Sequence, residues 1–351
     1  AVQASAWVGE LEEGVSASAS PKDLETMLQM VYLGFTAPRK DPVAFETFVG
    51  RMRGLIENRG ARPETVFRDR LTEVLSQGHP RRRPPDESFI EELDLETAYQ
   101  VYLDRFGDAS DFTFVIVGSV QPDTIKPLVA RYLGGLPATR RDESWRDVGV
   151  ESPEGVERFA VYRGTEPKSR VSIVFTGPAE FSRDAVQEMR VLTATLSIRL
   201  REILREDLSG TYGVSVGGSV DPRPDEGYSL TIDFGCAPQN VDRLVEAVFE
   251  EIRRFKSEGV DPSYVDKVVE QQLRKRQTDL RDNSFWLAAL KRYLTEDWDP
   301  AGILAFDELA EEITRETVEQ AARRYLDEER YVLGVLYPEG WSEQEEAAGA
   351  R

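Results

Sequence analysis

The chain has 351 residues, 40% of them hydrophobic and 31% charged, so it has room for two domains with cores of their own and is too long for one small domain. Its 44 Lys and Arg against 64 Asp and Glu leave a net charge of −20, which repels nucleic acid and anionic lipid and either attracts basic peptides or serves solubility alone. No apolar run is long enough to span a membrane, the single cysteine, Cys236, cannot form an internal disulfide, and the single histidine, His79, lies in a Pro- and Arg-rich loop with no second ligand at zinc spacing.

Alternating segments at Val2–Val8 and Leu11–Ser18 predict two strands, after which Pro21 opens a helix through Met27, Leu28 and Val31. Asp41-Pro42 starts a second helix through Phe45, Phe48, Met52 and Leu55, since proline suits the first helical position after an acidic cap. Glu91–Thr97 leads into a helix reaching Leu103, and the apolar run Phe112–Gly118 predicts a closing strand. Polar, turn-rich residues around Pro137–Gly149 then read as a linker.

Beyond it, strands are predicted at Arg158–Arg163 and Arg170–Gly177, followed by a long helix at Arg183–Arg205. Its apolar face carries Val186, Met189, Leu192, Leu196, Leu200 and Ile203. Ser209-Gly210 is helix-stop chemistry, and Tyr212, Val214 and Val216 then alternate along a strand at Tyr212–Val220 that pairs with Gly227–Gly235. From there the first half recurs. Pro238 answers Pro21, Pro262 answers Pro42, Glu311 answers Glu91 and Tyr331 answers Phe112, at offsets of 217, 220, 220 and 219 residues (238 − 21, 262 − 42, 311 − 91, 331 − 112).

The expected fold is therefore α+β, a tandem duplication of an α/β sandwich domain with a mostly antiparallel sheet covered by helices. Residues 1–138 form the first repeat, 139–155 the linker, 156–340 the second repeat and 341–351 a flexible tail. The first repeat begins where the second is already 55 residues in (212 − 157), so it is expected to be incomplete at its amino end.

Arg205 and Tyr212 flank the helix-to-strand joint. Taken alone they are better explained by a solvated helix end and a half-buried strand phenol than by two donors aimed at one carbonyl oxygen. The segment Leu204-Arg-Glu-x-Leu-x-Gly-x-Tyr-Gly-Val214 resembles, however, the one carried by the zinc-free half of pitrilysin/insulinase-family metallopeptidases, whose Arg and Tyr share the spacing of seven (212 − 205). Together with the tandem repeat, Ser20–Gln29 and Val115–Gly118, it makes nearly the whole chain similar to the carboxy-terminal half of a long bacterial member.

The resemblance implies two halves that close like a clamshell around a peptide, with the inverted zinc motif H-x-x-E-H in the other half. The corresponding helix here reads Arg183-Asp-Ala-Val-Gln-Glu-Met-Arg190, without histidine, so this chain is expected to hold no metal or other cofactor and to be inactive alone, zinc belonging to the partner half. Arg205 and Tyr212 are the implied catalytic-support residues, acting in trans. Gly213, Gly217 and Gly218 either keep the strand low for a substrate peptide or mark a bulge or bend. The implied partners are a zinc-bearing amino-terminal half or subunit and a peptide substrate, and the implied compartment is the bacterial periplasm or envelope rather than the cytoplasm. A non-catalytic scaffold or peptide-binding subunit of the same fold is the alternative.

Overall fold

The computed structural model describes residues 2–141, 143–207 and 211–341, without the side chains of Glu206, Asp207 and Tyr212. The predicted stop at Ser209-Gly210 and nearly all of the predicted tail lie outside the described residues.

In chain order the elements are β1 (Gln3–Val8), β2 (Glu13–Ser18), α1 (Leu24–Thr36), α2 (Pro42–Glu57), α3 (Pro63–Leu75), α4 (Glu87–Glu92), α5 (Leu95–Phe106), α6 (Pro122–Tyr132), β3 (Val156–Tyr162) and β4 (Ser169–Pro178). Then come α7 (Arg183–Arg201), a π-helical turn (Glu202–Asp207), β5 (Thr211–Asp221), β6 (Gly227–Cys236), α8 (Val241–Ser257), α9 (Pro262–Asp279), α10 (Asn283–Thr295), α11 (Phe306–Glu311), α12 (Arg315–Tyr325) and β7 (Tyr331–Tyr337). Similar caps stand at the positions that the sequence offsets match. Asp41 accepts from the Val43 and Ala44 amides, both at 3.0 Å, and Asp261 from the Ser263 amide at 2.9 Å. Asp94 caps α5 through the Thr97 amide at 2.6 Å, and Thr314 does the same for α12 through Thr317 in a reciprocal capping box.

These elements form two compact units. One comprises Ala1–Ile56, Pro85–Asp147 and Asp279–Ile303, the other Glu57–Pro84, Val148–Thr278 and Leu304–Arg351.

In the first unit β1 and β2 form an antiparallel hairpin. Trp7 lies so close over Gly14 that a Cβ there would stand 2.6 Å from the indole. A small core joins Val31 and Phe35 of α1 to Phe106 and Leu136, with the Phe35 ring edge-on to Phe112 at 4.9 Å. α10 adds Lys291, which pairs with Glu12 at 2.8 Å and stands 4.7 Å over the Trp7 ring. Asp108, only 3% exposed, fixes the start of the predicted linker by accepting from the Ser110 hydroxyl at 2.6 Å and from the amides of Thr139 and Arg141, both at 3.1 Å.

One expectation is not met in this unit: Phe112–Gly118 forms no strand. Its repeat counterpart β7 lies between β3 and β4, and among the described residues the first unit holds no counterparts of those strands, so the segment has no ladder to join. For a related reason α2 buries none of its residues, whereas its counterpart α9 buries Val265 and Val268.

The second unit is built on a five-stranded sheet of order β3-β7-β4-β6-β5, antiparallel except for the β3–β7 pair. Helices α7, α8 and α12 cover one face, burying Val171, Ile173 and Phe175 of β4, Leu230, Ile232 and Phe234 of β6, Leu192, Leu196 and Leu200 of α7, and Leu244 and Val248 of α8. On the opposite face α3 covers the β3–β7 side. Phe67 packs 5.8 Å from Phe159, and Gly334 is needed between them because a Cβ there would meet the Phe159 ring at 2.5 Å. The β6–β5 side of this second face carries small and polar residues, Ser215, Gly217, Ser219, Ser229, Thr231 and Asp233, none of them buried.

Candidate functional site

The helix predicted at Arg183–Arg205 is α-helical only to Arg201 and widens into the π turn Glu202–Asp207, which carries Arg205. Its inner side is anchored by Leu200 and Leu204, both fully buried. Its start is tied to α8 and α9 by one network: the Arg199 guanidinium donates to Glu251 at 2.9 Å, to Glu202 at 2.8 Å and to the Tyr264 hydroxyl at 3.1 Å, and that hydroxyl donates to Glu202 at 2.7 Å. Burial alone would pull the Arg199 pKa down, but the hydrogen bonds to Glu251 and Tyr264 outweigh it and hold the pKa above its ordinary value. Arg205 is exposed on this fixed turn. Single π turns of this kind recur at functional sites because the extra residue re-aims the side chains that follow.

After the joint comes β5, an edge strand of the sheet. Thr211 pairs with Cys236 and Gly213 with Gly235, so two steps along β5 match one along β6, and Tyr212 is the extra residue of a β-bulge. The Thr211 hydroxyl stabilises the bulge, donating to the Gly235 carbonyl at 2.6 Å and accepting from the Gly213 amide at 3.1 Å. The Tyr212 side chain lies outside the described residues, so only its place in the backbone is given. The three glycines differ. A Cβ at Gly213 or Gly217 would meet nothing within 4 Å, whereas one at Gly218 would stand 2.5 Å from Met189 Sδ and 3.0 Å from the Ser229 carbonyl. Gly218 thus faces α7 and permits its close approach, while Gly213 and Gly217 leave open surface. From Thr211 to Val220 the strand carries neither charge nor proline, the usual protections of an edge.

Beside Gly213, on the face opposite α7, lies a cavity of about 920 Å³. Its floor is the Gly213–Gly235 pair with Ser215 and Asp233, and its walls are the Arg163–Arg170 segment and the first turn of α3. Arg170 stands 3.6 Å from Asp233, and Lys168 is 2.8 Å from Glu166. Sequence reading did not select Arg170 or Asp233. Period-two alternation along β4 and β6 does place them together on the face away from the apolar residues, but their register and the α3 wall are tertiary facts.

Among the described residues no group of three or more His, Cys, Asp or Glu side chains is arranged to hold a metal ion. His79 uses both ring nitrogens structurally, on the Val148 carbonyl at 3.0 Å and the Arg81 amide at 3.2 Å. Also among the described residues, no helix is long and apolar enough to cross a membrane.

Residues 93–272, just over half of the chain, match the family described as peptidase M16 inactive domain. The chain belongs to the peptidase M16 family. As an M16 inactive-domain chain it is 26% identical over 289 residues to the zinc protease PQQL-like of Arabidopsis thaliana, covering 77% of this chain and 30% of that protein. It is 22% identical over 333 residues to the probable zinc protease PqqL of Haemophilus influenzae, covering 93% of this chain and 35% of that protein. The periplasmic protease PqqL from Escherichia coli has the same fold, with a TM-score of 0.84 at 22% identity, over 96% of this chain and 37% of that one. The M16 chain thus spans about a third of the length of the curated relatives it matches. The family and the helix-covered sheet expected from the sequence are therefore both found.

Proposed function

We propose that the chain is the zinc-free half of an M16 zinc peptidase, closing over a substrate peptide and presenting Arg205 and Tyr212 to the site of a zinc-bearing half. The observation that carries this reading is the pair of backbone irregularities at the joint. Arg205 is exposed on a π turn and Tyr212 is the extra residue of a β-bulge, two devices that re-aim side chains, at the two ends of one seven-residue interval. A guanidinium and a phenol held there suit the carbonyl oxygen of a scissile peptide, to which both donate as charge develops. The charge-free edge of β5, open at Gly213 and Gly217, suits an extended peptide added as a further strand. Zinc, the water it activates and the general base would come from the partner half, because the helix corresponding to the one that bears the inverted zinc motif reads Arg183-Asp-Ala-Val-Gln-Glu-Met-Arg190 here. The likeness to a periplasmic protease supports the periplasm or envelope as the working compartment.

The test is kinetic. In the complex of this chain with its zinc-bearing half, Tyr212→Phe is expected to lower turnover by roughly 10²–10³, as for loss of one oxyanion donor. Arg205→Lys is expected to impair it too, an ammonium being unable to reproduce the planar fork of donors. Peptidase activity untouched by both substitutions would leave the scaffold or peptide-binding alternative as the better reading.

A further inference from the structure

The cavity beside β5 gathers donors that the fold itself does not use. Arg170 meets Asp233 only at 3.6 Å with both side chains partly exposed, and Arg163 meets Glu339 only at 3.9 Å, so neither guanidinium is committed to a close bidentate partner. The wall opposite is the amino end of the 13-residue helix α3, with Pro63 at its first position and no side chain capping it, so its positive dipole end faces the cavity. Gly164 at φ +85° holds the loop wall against Pro63, where a Cβ would stand 2.9 Å from the ring, so the donors sit on a fixed frame.

The opposing charges are already engaged or lie to the side. Glu166 is held by Lys168 at 2.8 Å, and Glu64 reaches the same ammonium at 3.9 Å. Asp233 remains as an acceptor next to Arg170. A ligand that offers a carboxylate to the guanidiniums and an adjacent N–H to Asp233 would therefore satisfy both members of the loose pair at once.

We propose that this cavity is a carboxylate subsite, built from Arg170, Arg163 and the amino end of α3, that takes a peptide carboxylate while the neighbouring residues of the peptide lie along β5. The proposal rests on the reading of β5 as a peptide-binding edge, and it adds the class of substrate preferred there. The carboxylate is either the chain end of the peptide or an Asp or Glu side chain.

The experiment uses the 351-residue chain and four fluorescent heptapeptides of Thr, Val and Ser: one with a free carboxy terminus, one amidated, one amidated with an internal Glu, and one amidated with an internal Lys. Fluorescence anisotropy at low salt is expected to show one or both carboxylate peptides binding about tenfold tighter than the neutral amide, the scale of one charge-assisted hydrogen bond. Arg170→Gln and Arg163→Gln, both at exposed side chains, should remove that advantage and leave the weaker binding of the amide. Preference for the free end over internal Glu identifies a terminal subsite, and the reverse identifies an acidic side-chain subsite. Equal binding of all four peptides, or tightest binding of the Lys peptide, overturns the carboxylate subsite while the β5 edge stands. Failure of every peptide to bind overturns both, and a carboxylate advantage that survives the two Arg variants overturns the placement in this cavity.

Discussion

Gly217 and Gly218 are neighbours on one strand, yet the structure assigns them opposite costs for a single added methyl group. At Gly217 the new Cβ enters open space and the backbone is not left-handed, so Gly217→Ala should be neutral or should stabilise the chain by up to about 1 kcal/mol, because alanine restricts the unfolded chain. At Gly218 the Cβ would arrive 2.5 Å from the sulfur of Met189, a side chain 1% exposed, and 3.0 Å from the Ser229 carbonyl, which is backbone and cannot move aside. Forcing α7 off the sheet there should cost about 1–3 kcal/mol, the usual range for overpacking. At about 2–4 °C per kcal/mol for a unit of this size, that is a fall of roughly 2–12 °C in Tm. Circular dichroism melts of the two single variants measure the contrast, and Met189→Ala supplies a double-mutant cycle. Combined with Gly218→Ala it should destabilise by clearly less than the sum of the two single effects, because truncation at 189 removes the obstacle. Equal melting temperatures for Gly217→Ala and Gly218→Ala, or strict additivity in the cycle, would refute the assignment of Gly218 to helix packing.

Two further outcomes follow from buried titratable groups. The hydrogen bonds from Ser110 and Thr139 hold the Asp108 carboxyl well below the usual carboxylate range, so its contribution to stability is complete above the unfolded carboxyl value near pH 4 and is lost as pH falls below it. The gap in Tm between wild type and Asp108→Asn should therefore be flat from about pH 7 to about pH 5 and should narrow progressively as pH falls below about 4; a constant gap would show that Asp108 acts without its charge. Burial pushes the Cys236 thiol up to about 12, so it should ignore a thiol-reactive dye at about pH 8 and react only after denaturation, whereas rapid labelling of the folded chain would place Cys236 outside the core.

Much of the second unit was legible because its elements announce themselves locally. The acidic residue before Pro262, the apolar face of the long helix and the alternation in Gly227–Gly235 each act over a few residues, and each element stands where the pattern puts it. Phe112–Gly118 shows the limit: its sequence is as strand-like as that of β7, but a strand exists only beside another, and pairing is not a local property. The π turn was hidden for a similar reason. Nothing in Glu202–Asp207 breaks a helix by propensity, and the widening accompanies an Arg199 network whose partners Glu251 and Tyr264 lie 52 and 65 residues away. The face of each glycine on β5 could not be read either, because the bulge at Tyr212 shifts the alternation that would have assigned it.

The division of the chain into units also bears on how the protein can be made. Asp279–Ile303 belongs to the first unit although it leaves the ribosome 132 residues after that unit's preceding segment (279 − 147), and Glu57–Pro84 must wait for the strands of the second unit that α3 covers. Neither unit is complete when its sequence first emerges, so folding that proceeds one domain at a time during synthesis is not open to this chain. Closure over such long separations is slow, and until translation has passed Ile303 the first unit lacks the helix whose Lys291 pairs with Glu12 and stands over the Trp7 ring.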